Sequence, residues 1–427
     1  MAEMGRASRY QAINDPLAVL GLGYVQRRDQ LPSIDTAGEP LNAALRLAEA
    51  IEKHSSLSGQ PLSLHLLSSL ANIEPAVLGH WLRIALDHRP LGGFAQWFSA
   101  KLDEIGFERH HDTPSSVSRL VASLFSNHSF RTIFDPACGT GGLLAAAAEH
   151  NAKAALFGQE ISSEAWAWAE MRFLVQGLGN INLAIGNGLD GHALTSLIPE
   201  DGLDFILTNP PFGMQFDANT ISGPSRRPGK LIPTQAGRLS SETAYVQGVL
   251  EYLSNSGLAA VIVPNGFLSR GGADKKLREA LVRLDVVQAV IGLPERLFAP
   301  GTNIETAILV LNRRKPDDQK EHILFLDARE LGRREGMRVV IDDQSAARIM
   351  AGYNEWRNEM SFSQVVSSDK IDLVSFSFSP TRYVKYTSLP ARMDPDYRRS
   401  HIIELDAQYR ALCLEYEDLQ ARLSRLD

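Results

Sequence analysis

The sequence "FDPACGTGGLL" occupies residues 134–144, and the different segments that precede and follow it decide the fold. A short apolar segment precedes it, and an alanine- and leucine-rich segment typical of a helix follows it. Gly139, Gly141 and Gly142 let the backbone turn sharply and approach a ligand closely. The spacing is not the G-x-G-x-x-G of dinucleotide-binding turns, so the turn alone leaves both a cofactor site and a plain structural turn open.

The same alternation of apolar and helical segments continues beyond this turn. Seven segments are predicted to be strands: "TIFD", "AALFGQE", "INLAIG", "LDFILTN", "LAAVIVP", "VVQAVIGLP" and "TAILVLNRR". The alternation predicts an α/β fold with a seven-stranded, mostly parallel, doubly wound sheet covered by helices on both faces. Only "ERLFAPGTNIE" separates the last two strands, which leaves little room for a crossover helix. The last strand is therefore expected to be antiparallel.

Three regions are predicted along the 427 residues. Residues 1–110 read as an N-terminal helical domain, and residues 111–335 as the sheet domain. Residues 336–427 are predicted to be a C-terminal extension that ends in a helix. The apolar side chains of that helix are spaced alternately by three and four residues, at Ile402, Leu405, Tyr409, Leu412, Tyr416, Leu419, Leu423 and Leu426. So narrow a heptad stripe favours packing against a partner's helix over packing within the chain.

Composition is that of an ordinary globular protein, with 44% hydrophobic and 22% charged residues. No apolar segment is long enough to span a membrane, and the N-terminus lacks the apolar core of a signal peptide. The two cysteines, Cys138 and Cys413, argue against a disulfide framework or a cysteine-rich metal site and favour a cytoplasmic location. The net charge of −7 argues against a chain that binds nucleic acid alone over a large surface.

Polar residues stand where the first three predicted strands end. Asp135 ends the first strand, Glu160 ends the second, and Asn187 follows the third. Glu160 suits the two hydroxyls of a ribose, as in other doubly wound folds. Asp135 suits a cationic amino group and would repel a pyrophosphate, which favours S-adenosylmethionine over a nicotinamide dinucleotide. Asn187 alone fits an adenine contact or a plain turn equally well.

The fourth strand runs into a stiff corner, "ILTNPPFGMQ", at residues 206–215. Pro210 and Pro211 each fix φ and donate no backbone hydrogen bond, so Asn209 and Phe212 are held on extended backbone. A turn that ends the strand is the simpler interpretation. A preformed polar and aromatic site is the alternative.

In this order, "DPACGTGG", the strand-end Glu160 and "TNPPFG" resemble the amino-methylating DNA methyltransferases. The strongest resemblance is to the modification subunit of type I restriction–modification systems, an adenine-N6 methyltransferase, and it covers most of the chain. "HDTPSSVSRLVASL" is similar to the Thr-Pro element of that family, and "VIGLPERLF", "NIETAILVLNRRK" and "LFLDARE" are similar to its later strands. The resemblance implies S-adenosyl-L-methionine as cofactor, with contacts at Thr113, Pro114, Asp135, Pro136, Ala137, Gly139, Thr140, Gly141, Gly142, Glu160, Ile161, Asn187 and Gly188.

The resemblance also implies catalytic roles for Asn209, Pro210, Pro211 and Phe212. The side-chain carbonyl of Asn209 and the main-chain carbonyl of Pro210 would accept hydrogen bonds from the adenine amino group. Phe212 would stack on the base once it has left the duplex. The implied partners are double-stranded DNA and a specificity subunit, contacted through the C-terminal helix and, as a further option, the N-terminal domain. A restriction subunit is left open as another partner.

Alternatives remain, because NPP-type motifs also serve methylation of protein glutamine and of RNA, and an idle methyltransferase fold can serve assembly alone. One position departs from the family, which often has Gly-Asp where this chain has Gly186-Asn187. The segment 213–240, rich in glycine and proline, is either a solvated loop or a clamp on the DNA backbone. Against the single acid Asp217 it carries the cations Arg226, Arg227, Lys230 and Arg238.

Overall fold

The glycine-rich turn follows an interior strand of a nine-stranded sheet, at the edge where that strand ends. The computed structural model describes residues 17–31, 39–54, 70–71, 73–87, 93–108, 113–189, 194, 198–217, 238–299, 301–371 and 375–384. The strands in chain order are β1 (Thr132–Asp135), β2 (Ala155–Glu160), β3 (Ile181–Ile185), β4 (Leu203–Thr208), β5 (Gln215–Asp217), β6 (Arg238–Ser240), β7 (Leu253–Pro264), β8 (Val287–Gly292), β9 (Thr306–Asn312), β10 (His322–Asp327), β11 (Arg333–Glu335), β12 (Arg338–Val340) and β13 (Ser363–Ser367).

The main sheet has the order β13–β10–β8–β9–β7–β4–β1–β2–β3. Strands β3, β2, β1, β4 and β7 are parallel neighbours, and β9 is antiparallel to both β7 and β8. All seven predicted strands are present, and the seventh is antiparallel as predicted. The sheet is nevertheless wider than the seven-stranded prediction, because β10 adds parallel to β8 and β13 adds antiparallel to β10.

Helices cover the sheet and form the N-terminal region. They are α1 (17–28), α2 (Pro40–His54), α3 (Pro75–Asp87), α4 (Phe94–Glu108), α5 (Ser115–Leu124), α6 (Gly142–His150), α7 (Ser163–Gln176), α8 (Ser241–Tyr252), α9 (Asn265–Ser269), α10 (Gly272–Arg283) and α11 (Asp343–Glu355). Short 3₁₀ turns occupy Asp317–Gln319, Ser368–Lys370 and Pro380–Arg382. None of these helices combines the length and the apolar character needed to cross a bilayer.

Two hydrophobic cores lie on the two faces of the sheet, because successive strand side chains point to opposite faces. Ile133 belongs to one core and Phe134 to the other. The first core also takes in Leu22 and Leu47 from the N-terminal helices, so these helices pack on the same body as β1.

The described residues all belong to one compact unit, which ends at Val384. Residues 385–427, with the predicted heptad helix, lie outside the described residues. The predicted domain limits at residues 110 and 335 stay predictions.

Candidate active site

The glycine-rich turn has a backbone shape that only glycine allows at Gly141. This residue caps the N-terminus of α6 with φ 82°, in the left-handed region, and its amide donates to the Cys138 carbonyl at 2.8 Å. A Cβ there would lie 2.8 Å from the Phe173 ring, which no real contact reaches. Gly139 also has a positive φ, 56°. The turn therefore packs closely against α7, and a side chain does not fit at Gly141.

Glu160, at the tip of β2, holds this turn in place. One carboxylate oxygen accepts a hydrogen bond from the Gly139 amide at 2.9 Å, and the other accepts from the Ser162 amide at 2.8 Å. Each carboxylate oxygen has a second lone pair, so both can still accept from a ligand hydroxyl. Ile161 follows with 74% of its surface exposed, which leaves an apolar side chain open to solvent beside the acid.

Asp135, at the tip of β1, is fully buried and only half satisfied. Its Oδ1 atom accepts from the Ala137 amide at 3.0 Å, whereas Oδ2 is buried with no hydrogen-bond partner among the described residues. Burial raises the pKa of Asp135 to about 7; the hydrogen bond from the Ala137 amide opposes the rise, and the Glu160 charge adds to it. A cationic group beside Oδ2 would restore the charged form.

The residues that follow β3 contact the glycine-rich turn. The Oδ1 atom of Asn187 accepts from the Leu189 amide at 3.1 Å, and its main-chain carbonyl accepts from Gln159 Nε2 at 3.0 Å. A Cβ on Gly188 would lie 1.9 Å from the Pro136 carbonyl oxygen. The predicted residues Pro136 and Gly188 are thus in direct contact, and Asn187 could offer an adenine either Nδ2 as donor or the second lone pair of Oδ1 as acceptor.

The Thr-Pro element lies beside the same turn. Thr113 and Pro114 are half-buried, and the Pro114 carbonyl starts α5 by accepting from the amides of Val117 and Ser118 at 2.9 and 3.0 Å. A Cβ on Gly142 would lie 3.8 Å from Ser118 Oγ. The two elements that the sequence places about 25 residues apart are therefore neighbours in space.

Arg172, a residue the sequence analysis did not single out, ties the turn to the N-terminal region. It is 2% exposed, and its guanidinium donates to the Thr140 carbonyl at 2.8 Å and to Thr140 Oγ1 at 3.0 Å. The same group pairs with Asp103 of α4 at 2.7 Å. A buried charge needs such partners, so a lone arginine within the apolar helix "EAWAWAEMRFLV" was the available signal.

The Asn-Pro-Pro-Phe corner after β4 presents a buried acceptor and an aromatic ring. Asn209 Oδ1 is buried and finds no hydrogen-bond partner within the described part of the chain. Pro210 is buried, Pro211 is exposed, and Phe212 is half-buried. The Phe212 ring meets Phe298 edge-on, with centroids 5.7 Å apart and an interplanar angle of 80°. Phe298 is a second residue that sequence reasoning missed, although it ends the segment "VIGLPERLF".

A fully buried carboxylate, Glu242 of α8, supports the corner from behind. It accepts from the Gly213 amide at 3.1 Å and pairs with Arg270 at 3.3 Å. Arg270 also pairs with the buried Asp274 at 2.9 Å, which in turn accepts from Ser240 Oγ at 2.7 Å. This network joins the residue after Phe212 to the base of the ribbon formed by β5 and β6.

The two halves of the site lie at one edge of the sheet, because β1 and β4 are adjacent and parallel. Residues 218–237, with the predicted cations Arg226, Arg227 and Lys230, lie outside the described residues. Arg238 is described and stands opposite Asp217 in the ribbon. The clamp function of this segment stays a prediction.

Comparison with known proteins gives a family. The model of the N-6 DNA Methylase family matches residues 109–390. The type I restriction enzyme MjaVIII methylase subunit of Methanocaldococcus jannaschii is 28% identical over 68% of this chain and 52% of its own length. The HindI methylase subunit of Haemophilus influenzae is 26% identical over 83% of this chain and 81% of its own length. Against four relatives from Methanocaldococcus jannaschii and Mycoplasma pneumoniae, the chain covers between 52% and 65% of their length.

Solved structures agree in fold. The methyltransferase subunit of a type I restriction-modification system from Streptococcus thermophilus superposes with a TM-score of 0.68, at 20% identity over 85% of this chain and 79% of that one. A modification subunit of a putative type I restriction enzyme from Vibrio vulnificus gives a TM-score of 0.64, at 21% identity over 86% and 88% of the two chains.

Proposed function

This chain belongs to the N-6 DNA methylase family, and on that premise we propose that it methylates N6 of adenine in DNA. It does so as the modification subunit of a type I restriction–modification system, using S-adenosylmethionine. The observation that carries the proposal is the buried Oδ1 of Asn209, which has no hydrogen-bond partner in the part of the chain that the structure describes. It lies at the end of a strand adjacent to the one that carries the glycine-rich turn. An unpaired buried acceptor costs about 1–3 kcal/mol, so it calls for a donor that arrives with the substrate.

The residues at the glycine-rich turn fit the proposed cofactor. Asp135 offers the cofactor's cationic amino group a buried carboxyl, one oxygen of which has no partner among the residues described. Glu160 retains lone pairs for the ribose hydroxyls, and the exposed Ile161 offers an apolar surface for the adenine ring. When bound, S-adenosylmethionine supplies an electrophilic methyl group. The chain's own part is to hold that group at the sheet edge where the corner also lies.

The corner prepares the amine. The lone pair of adenine N6 is delocalised into the ring, so N6 is a poor nucleophile. Asn209 Oδ1 and the Pro210 carbonyl accept hydrogen bonds from the two N–H groups, which localises the lone pair on nitrogen. Because the prolines fix the backbone, the acceptors need little reorganisation during the reaction. N6 would form its bond to the methyl carbon as the carbon–sulfur bond breaks. The alkylated nitrogen is acidic and would then give its proton to solvent water, so no strong base is needed.

The aromatic rings receive the base. A base inside a duplex is out of reach, so the target adenine must leave the stack. Phe212 provides the face on which it stacks, and Phe298 supports Phe212 edge-on. Glu242 fixes the position of Phe212 by holding the next residue, Gly213.

The partners belong to the same proposal. A specificity subunit reads the target sequence, docked through the C-terminal heptad helix and, as a further option, the N-terminal helices. Residues 111–335 act as the methyltransferase domain. The family supports this assignment, and the heptad spacing of the sequence supports the docking helix.

The test is methyl transfer from labelled cofactor to plasmid DNA from a host without adenine methylation. The full chain is assayed with and without its specificity subunit. We expect label at adenine N6, at one sequence, and only when the specificity subunit is present. Transfer to a glutamine of a protein or to RNA, with none to DNA under any condition, would overturn the proposal.

A further inference from the structure

A small two-stranded ribbon, β11 and β12, stands apart from the main sheet. Glu335 pairs with Arg338, so only Gly336 and Met337 form the turn. Gly336 has φ 61° and Met337 does not have a positive φ, which is the pattern of a type II′ hairpin. A Cβ on Gly336 would meet no described residue within 4 Å. Met337 at that tip is 69% exposed.

The base of the ribbon is firmly held. The Gly332 amide donates to Ser345 Oγ at 2.9 Å, and a Cβ on Gly332, where φ is 102°, would lie 2.8 Å from Val339. The Val339 amide donates to the Arg296 carbonyl at 3.2 Å. The hydrogen bonds at the base thus fix the position of the hairpin tip, which suits an element that inserts into a binding partner.

The charge of the ribbon is the opposite of that of the whole chain. It carries Arg333, Arg334 and Arg338 against the single acid Glu335. Glu335 pairs with Arg333 at 2.6 Å and with Arg338 at 3.6 Å. The ribbon's own residues therefore carry two more positive than negative charges on a chain with net charge −7, while Asp103, Glu104 and Glu335 line the cavity beside it.

The position of the ribbon relates it to the candidate active site. It forms one wall of a cavity of about 590 Å³, and Pro114 and Ser115 of the Thr-Pro element form another. Leu297 and Ala299 also line this cavity, and they flank Phe298, the ring that meets Phe212. The ribbon, with Met337, therefore shares a cavity with the residues on either side of Phe298, the ring that contacts Phe212.

We propose that the β11–β12 ribbon is a DNA-contacting element that opens the duplex at the target base. Its arginines contact backbone phosphates, and Met337 enters the stack where the adenine has left. Apolar side chains inserted between base steps are a known way of unstacking DNA. An unbranched methionine adapts its shape to such a gap. The inference rests on the proposed function, since it takes duplex DNA as the substrate.

The phosphate contacts are tested with Arg333→Ala and a matched control, Arg357→Ala. Both arginines are 64% exposed and each pairs with a glutamate two residues away. Binding of the subunit assembly to duplex DNA is measured against salt concentration. Arg333→Ala should weaken binding to all sequences alike and lower the slope of log K against log salt by about one. The control should leave both unchanged. Equal slopes for the two variants, or assembly with the specificity subunit lost in place of DNA affinity, would overturn the assignment.

The wedge is tested with Met337→Ala, with Met360→Ala, 56% exposed on another segment, as control. Once the target site is mapped by sequencing methylated plasmid, two duplexes are compared, one paired and one with a mismatch at the target adenine. Met337→Ala should slow methyl transfer on the paired duplex about tenfold. On the mismatched duplex the transfer rate should return to that of the wild type, because a mismatched base costs less to extrude. A loss of the same size on both duplexes, or no loss on either, would refute the wedge.

The wild-type assembly separates the two levels of the proposal. If it methylates no DNA and binds none, the proposed function fails and this inference fails with it. If it methylates DNA while the ribbon variants behave like their controls, only this inference fails.

Discussion

The glycine-rich turn after β1 and the Asn209–Phe212 corner after β4 end adjacent parallel strands, yet they treat their polar atoms differently. At the turn, the chain uses its own groups: Glu160 accepts from two backbone amides, and Asn187 Oδ1 accepts from a third. At the corner, Asn209 Oδ1 is buried and has no partner in the described structure.

The difference distinguishes polar groups that hold the shape of the site from Asn209 Oδ1, which is proposed to pair with the substrate. A polar atom satisfied by the chain contributes to stability whether or not a ligand is bound. A buried unpaired acceptor reduces stability until a donor arrives. Asp135 is the exception at the turn, because one of its oxygens also has no partner within the described ranges.

The largest expected effect is that of Asn209→Ala. Removing one preorganised hydrogen-bonding group from an active site lowers turnover about 100- to 1,000-fold. Because the lost oxygen has no hydrogen-bond partner among the described residues, the free energy of unfolding should stay the same or rise. Methyl transfer, cofactor binding by calorimetry and thermal unfolding are measured side by side. A variant that keeps its activity, or one that is inactive because it is unstable, would remove the contrast between the two regions.

The second prediction concerns the exception, Asp135. Its pKa is raised from 3.8 to about 7 in the folded chain. Between these values the native state keeps a proton that the unfolded state has lost, so the free energy of unfolding falls as pH rises. The fall is at most about 1.4 kcal/mol per pH unit.

The side chain introduced by Asp135→Asn is neutral at every pH, so this variant does not show the fall in the free energy of unfolding. Its stability advantage over the wild type should grow from pH 4 to pH 7 and level off above. Chemical unfolding across this range measures the advantage. A difference that does not change with pH would mean that Asp135 is charged in the native state.

At the turn itself, Gly188→Ala should reduce stability by about 1–3 kcal/mol, the usual cost of overpacking. The added Cβ would lie 1.9 Å from the Pro136 carbonyl oxygen, so the turn must shift. Cofactor affinity should fall with it. Gly179→Ala is the control, since a Cβ there meets nothing within 4 Å. Similar unfolding curves for the two variants would contradict the close fit at the third strand tip.

The smallest expected effect is that of Glu242→Gln, which keeps the shape but loses the charge facing Arg270. Turnover should fall about tenfold through weaker positioning of Phe212, in line with the loss of a charged hydrogen bond. Cofactor affinity should not change, because Glu242 supports only the corner. Glu279→Gln, whose carboxylate pairs with Arg283 on the surface of α10, is the matched control. Equal losses in turnover and in cofactor affinity would show that the two regions are not separable.

Local patterns predicted much of this molecule. The seven strands, the reversed β9 and the meeting of the first three strand tips follow from short apolar segments and from connection lengths. The two further strands did not follow. β10 was expected as a strand, but its place beside β8, and the pairing of β13 after α11, are set by long-range packing that leaves no local signal.

The supporting residues of the site were missed for the same reason. Arg172, Glu242 and Phe298 act through neighbours far away in sequence: Thr140, Gly213 and Phe212. Motif reading finds residues at strand tips. It does not find the side chains that hold them from behind, since their partners come together only on folding.

The ribbon of β5 and β6 has a consequence for how the family can diversify. It pairs Asp217 with Arg238 and so fixes both ends of the segment between them. Since the buried network of Glu242, Arg270 and Asp274 anchors the ribbon, the length of that segment is decoupled from the corner. Doubling a loop whose ends are already held costs only about 0.6 kcal/mol. Insertions between residues 217 and 238 are therefore a low-cost route to new substrate contacts, and a practical grafting site for protein engineering.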